Sequence, residues 1–210
     1  MKKNKCFTII LVLIIVPISI PINGNAADST DIYSKFTFSK ELNYNPLQTQ
    51  NNPFRGFVPF MGNYDTFPHS MEFFYVPLKD LMSGEDTYTF NQGLEPKIEQ
   101  IADRNHQTIF RVYLDYPGQE IGVPDFLIPG LTFYHYDEFG GGESPDYTNE
   151  TLISTLESFI STLGEEYDGD QRIAFIQIGL LGHWGEWHTY PHEDWFPNET
   201  IQNRILYAFD

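Results

Sequence analysis

The sequence predicts an α/β fold, the amino-terminal half of a TIM-like (β/α)8 barrel. Two patterns point to it. Apolar, strand-like runs at residues 52–60, 72–77, 108–115 and 173–178 alternate with amphipathic helical stretches, the signature of a parallel sheet with crossover helices. The residues richest in chemistry follow the fourth run, at the carboxyl end of a strand, where such folds place their sites. The chain stops on a helix after that fourth unit. The expectation is therefore a truncated chain whose missing partner is the carboxyl-terminal half of the barrel, strands five to eight.

The elements follow in order. Met1–Lys5 is basic, Phe7–Val16 is apolar apart from Thr8, and Gly24–Ala27 offers small residues for cleavage. Residues 1–26 thus read as a secretory signal peptide, too short for a membrane span of about 20 residues. Residues 27–52 read as an amino-terminal arm with one short alternating strand at Phe36–Phe38. The partial barrel would occupy 53–210. Asn52–Phe60 is a turn entering a first buried strand, and Glu72–Pro77 is the second. Gly93–His106 is a helix, with Pro96 near its start and Leu94, Ile98, Ile101 and Ala102 on one face. Thr108–Asp115 is the third strand. Tyr116–Tyr147 is a loop of a length that is usually functional or disordered. Its segment Tyr134–Gly142 is placed to fold over a site. Thr148 is expected to cap the next helix, whose stripe is Leu152, Ile153, Leu156, Phe159, Ile160 and Leu163, and Gly164 to end it. Ile173–Ile178 reads as a strand buried on both faces. Asn198 caps a last helix with Ile201, Ile205, Leu206 and Phe209 inward.

Composition narrows the function. Cys6 is the only cysteine and belongs to the leader, so the mature chain has neither disulfide nor thiol chemistry. The remaining chain of about 180 residues must rely on a true hydrophobic core. The lysine-rich leader and the absence of cysteine point to a secreted, cell-surface or periplasmic bacterial protein. A formal charge of −17 disfavours nucleic acid and, once the leader is removed, anionic membrane. Aromatic residues make up 16% of the chain, enough both to fill a core and to supply surfaces that stack sugars.

The stretch Arg172–Tyr190 is the most informative. After the fourth strand come Gly179, Gly182 and Gly185, and among them a single acid, Glu186, between Trp184 and Trp187. Glycosidic bonds are cleaved by two carboxyl groups, one of which donates a proton. Flanking indoles would take Glu186 out of water, as a general acid requires, and indole faces suit the apolar face of a sugar ring. Glu186 is thus the catalytic candidate; the alternative is a Glu that only bonds the backbone of its loop. Trp184, Trp187, His188, Tyr190, His183, Asp115 and Arg111 are the candidate substrate contacts. Arg111 sits among apolar residues and needs an acidic partner; Asp115, four residues on, is the nearest candidate. That pairing makes Asp115 a binding or structural residue rather than a catalyst, and places the second catalytic carboxylate on a later strand. His188 and His192 have the spacing of one helical turn, but Pro191 works against a helix there. No HExxH pattern occurs. No metal and no cofactor are therefore expected, and His183, His188 and His192 read as groups that bond sugar or solvent. Asn149 and Asn198 begin formal glycosylation sequons at helix starts.

Asn52-Pro-Phe-Arg-Gly-Phe57, Pro145-Asp-Tyr147, Tyr167-Asp-Gly169 and Gly179-Leu-Leu-Gly-His-Trp-Gly-Glu-Trp-His-Thr189 resemble a family of secreted bacterial proteins, domains of unknown function regarded as glycosidase-like barrels. The resemblance covers about residues 45–210, the front half of the family's length. It implies a (β/α)8 barrel and a link to carbohydrate. Glycosidases of this class often carry an acid catalyst after strand four, where Glu186 falls. Gly185 stands before it where the largest clan has an Asn, and a Gly–Glu pair there is more similar to the inverting β-amylases.

Three functions compete on these residues. The first is a secreted glycoside hydrolase with Glu186 as acid. The second is a non-catalytic carbohydrate-binding or surface protein on the same barrel. The third is a metal-dependent hydrolase using the histidines.

Overall fold

Three parallel strands form the centre of the chain: β1 (Met71–Pro77), β4 (Gln107–Tyr113) and β7 (Ile173–Gln177), in the spatial order β1-β4-β7. The computed structural model describes residues 56–62, 65 and 67–210, all within one compact unit, Tyr44–Asp210. The expected leader, the arm and its Phe36–Phe38 strand lie outside the described residues. A strand order that follows chain order is that of a sheet wound in one direction; a doubly wound sheet reverses at its first strand. Before β1, Phe60 bridges Phe73 in parallel, with Met61 N–H donating to Phe73 O at 2.8 Å. The first expected strand is therefore a single bridge among the described residues, and it is not buried: Phe57 is 83% exposed. No closed barrel is present among the described residues.

Pleating gives the sheet two unlike faces. One carries the rows Phe74–Phe110–Ile176 and Val76–Val112. Phe74, Val76, Phe110 and Val112 are buried, in one core with Ile98 and Ile101 of α2 (Glu95–Ala102) and with Leu152, Ile153, Leu156, Phe159 and Leu163 of α3 (Glu150–Tyr167). Each such large side chain stabilises the fold by about 1.5–3 kcal/mol. The other face carries Phe73–Ile109–Phe175 and Tyr75–Arg111–Gln177 and has no layer packed on it among the described residues. Phe175 is consequently exposed, which corrects the expectation that this strand is buried on both faces. Its apolar run is real, but among the described residues β7 is an edge strand with one covered face.

The helices differ from expectation at their ends. The helix expected over 93–106 is shorter, α2 (Glu95–Ala102) with Pro96 in its first turn, and a separate turn, α1 (Phe90–Gly93), precedes it. Asn149, not Thr148, caps α3: its side chain accepts from Leu152 N–H at 3.1 Å, while Thr148 Oγ1 donates to Asp146. The helix passes through Gly164 to Tyr167, and the positive φ expected at its end belongs to Gly169 (84°). Asn198 caps α4 (Glu199–Ala208) as expected, accepting from Ile201 N–H at 3.2 Å. In α4, Ile205 is buried and Ile201 and Phe209 pack on the core, but Leu206 is exposed, because one residue beyond Ile205 turns about 100° off the inner face.

The remaining strands are antiparallel hairpins. β2 (Met82–Gly84) pairs with β3 (Thr87–Tyr88), and β5 (Phe133–Tyr136) with β6 (Gly142–Pro145). The second lies inside the long 116–147 segment, which is ordered and returns to the loop after β7. No described helix is long and apolar enough to cross a membrane.

Candidate functional site

The loop after β7 is held by close backbone contact. A Cβ on Gly179 would lie 2.3 Å from Val112 O, so only glycine lets the chain pass the end of β4 here. Gly182, at φ +75°, is as confined: a Cβ would fall 2.3 Å from His188 O. The hydrogen bonds His183 N–H to His188 O (2.8 Å), Glu186 N–H to His183 O (2.9 Å) and Trp187 N–H to Leu181 O (3.0 Å) close the turn. Leu180, Trp184 and Trp187 also take positive φ, at 72°, 54° and 59°. Left-handed non-glycine residues cost on the order of 1–3 kcal/mol each and gather where geometry serves function.

Glu186 stands at the mouth of this loop. Its Oε1 accepts from Arg111 Nη1 at 2.7 Å, and the same nitrogen reaches Trp184 O at 3.3 Å. The Arg111 guanidinium also lies over the Tyr75 ring, 4.9 Å from its centre, in cation–π range. The Arg111 side chain is largely covered, whereas that of Glu186 is 43% exposed. The expected indole enclosure of Glu186 is therefore not what forms. Trp187 turns inward: its Nε1–H donates to Gly179 O at 3.1 Å and its ring packs near Phe196. Trp184 stays partly exposed, edge-on to Phe139 and Tyr116.

Asp115 has a different partner from the one expected. Arg111 goes to Glu186, and Asp115 is sealed beneath the loop at 1% exposure. Its Oδ2 meets His183 Nδ1 at 2.6 Å, and its Oδ1 accepts the Tyr136 hydroxyl proton. Burial and this acceptor push the Tyr136 hydroxyl far above its usual range, so it stays a donor. Tyr147, also fully buried, accepts Gly182 N–H at 2.9 Å; burial and the nearby Asp115 charge raise its pKa as well. Asp115 and His183 also form a parallel bridge, so the β4–β7 pairing continues into the loop. Neither side chain reaches solvent, and with Tyr136 they tie β4, the loop after β7 and the 116–147 segment together.

The other expected contacts lie at the edge. His188 is partly exposed, its ring beside those of Trp184 and His183, and its Nδ1 accepts from Tyr190 N–H at 3.2 Å. Tyr190 is exposed. His192 stacks on Trp195 and approaches Glu138 at 3.3 Å, away from any shared ligand point with His188. Tyr75 and Tyr147 are not among the expected site residues, whereas Tyr136 and Phe139 belong to the Tyr134–Gly142 segment expected to fold over the site. The one available signal was the tyrosine-rich 134–147 segment.

No family model matches the chain, and no curated protein matches it. Among solved structures it is similar to GH5_18 from Bifidobacterium longum subsp. longum ATCC 55813, determined in complex with Manb1-4GlcNAc, at 10% sequence identity and a TM-score of 0.43. The match covers 66% of this chain and 30% of that one, so the chain spans under a third of that protein's length.

Proposed function

We propose that the protein is secreted and carbohydrate-active, on the amino-terminal half of a TIM-like barrel, with Glu186 as the acid of a glycoside hydrolase-like site. The observation that carries the reading is the Glu186 carboxylate. It is open to solvent, fixed by Arg111, and placed at the carboxyl end of parallel strands, and the same Arg111 lies over Tyr75 and reaches Trp184 O. Trp184 supplies the ring face for a sugar, and His188 and Tyr190 the hydrogen-bonding edge.

The test is Glu186→Gln in the full-length protein. Loss of a general acid lowers turnover of an unactivated glycoside by about 10²–10⁴-fold and affects substrates with good leaving groups less. Calorimetric sugar binding should persist in Glu186→Gln and weaken in Trp184→Ala. Full turnover in Glu186→Gln ends its role as acid.

A second reading, sugar binding without turnover, is favoured by one observation. Asp115, the nearest acid in the loop's support, is sealed by Tyr136 and His183. Retained binding with no turnover on any glycoside would select it.

A further inference from the structure

At the opposite end of the sheet, His69 precedes β1, Glu72 is its second residue, and His106 immediately precedes β4. One ligand atom from each of the three lies within 4.8 Å of the others. We propose that His69, Glu72 and His106 bind a divalent first-row transition ion of the zinc class, at a site separate from the Glu186 loop.

The first support is the state of His69. Its Nδ1 is 2.6 Å from Phe67 O. A carbonyl only accepts, so Nδ1 carries a proton, and in the neutral ring Nε2 holds the lone pair. The residue is 7% exposed, and Nε2 is buried without a hydrogen-bond partner. A buried, unsatisfied acceptor costs about 1–3 kcal/mol. An imidazole whose Nδ1–H is tied to a carbonyl, leaving Nε2 bare, is the arrangement of a metal-bound histidine.

The second support is the donor set. Glu72 is fully buried, and its Oε1 accepts from His106 Nδ1 at 2.8 Å; a bound ion would displace that proton or take His106 through Nε2. The His69 and His106 rings converge, their centres 4.5 Å apart. Two imidazole nitrogens and one carboxylate oxygen suit zinc and its neighbours, with a fourth position for water. Arg104 donates to both Glu72 oxygens, at 2.8 and 2.6 Å, and so orients the carboxylate as an outer-shell partner would. A cleft of about 340 Å³ lined by Phe67, His69, Ser70, Arg104, Asn105 and His106 opens beside the three residues. The competing account is a buried hydrogen-bonded group in which Glu72 takes Arg104 and His106 as donors, which leaves His69 Nε2 unexplained.

The experiment is zinc titration of the chelator-treated, full-length protein by calorimetry, with melting followed in parallel. The site predicts one high-affinity Zn²⁺ per chain and a Tm that rises with zinc. His69→Ala and His106→Ala should each lower the affinity by at least about 100-fold, beyond the usual cost of losing an outer-shell group, and abolish the rise in Tm. His135→Ala, at an exposed histidine, should change neither. X-ray absorption at the zinc edge of the wild-type protein should show two imidazoles and needs no variant to fold. Absence of stoichiometric zinc, a single imidazole in the spectrum, or unchanged affinity in His69→Ala would each overturn the site.

Discussion

Two Glu–Arg pairs stand at opposite ends of one sheet, and they differ in every physical respect. At the amino ends of β1 and β4, Glu72 is fully buried and takes two hydrogen bonds from Arg104 and one from His106. Burial alone would raise its pKa, but these bonds together outweigh burial and hold it below the usual carboxylate range. At the carboxyl ends, Glu186 takes one bond from Arg111 and keeps much of its carboxylate in water. A buried, multiply bonded carboxylate holds strands together. An open, singly held one is available to a ligand. The same residue pair is thus sealed at one rim and open to solvent at the other.

The comparison breaks most sharply at Glu72. Removing Arg104 by Arg104→Met leaves a buried charge without its fork and should cost about 3–5 kcal/mol in urea unfolding of the metal-free protein. A loss below about 1 kcal/mol would make the two rims equivalent. Next in size is Gly182→Ala. A left-handed alanine and a 2.3 Å approach to His188 O should together cost at least about 2 kcal/mol and disturb sugar binding with stability. Tyr147→Phe then leaves Gly182 N–H unpaired in the interior, worth about 1–3 kcal/mol. Smallest is Glu186→Gln, whose solvent-screened pair should contribute about 0–1 kcal/mol to stability. A large loss of stability in that variant would move Glu186 into the structural class with Glu72.

The parallel sheet, its helices and the loop at residues 179–189 were legible in the sequence, because apolar period and glycine spacing are local signals. Helix ends were less so. Thr148, Asn149, Gly164 and Gly169 are all plausible caps, and which one serves depends on where the packed stripe of α3 starts and stops. The candidate site was half legible. Glu186 and Arg111 were singled out, but not as partners, since a pairing across two strands has no sequence spacing. The Asp115–His183–Tyr136 group joins β4, the loop after β7 and a distant hairpin, and it was invisible for the same reason. His69 and His106 carry no local signal, because they are 37 residues apart in the chain.

By itself the sequence determined the alternation of elements, the apolar faces that must be covered, the acidity, and the glycines where backbones must touch. These follow from side-chain chemistry and from the reach of a few neighbouring residues. The tertiary structure alone decided which face of β7 is covered, that Arg111 holds Glu186 while Asp115 is sealed by His183 and Tyr136, and that Trp187 packs inward while Trp184 does not. Those outcomes depend on register between strands far apart in the chain, where a shift of one residue exchanges the buried and open faces.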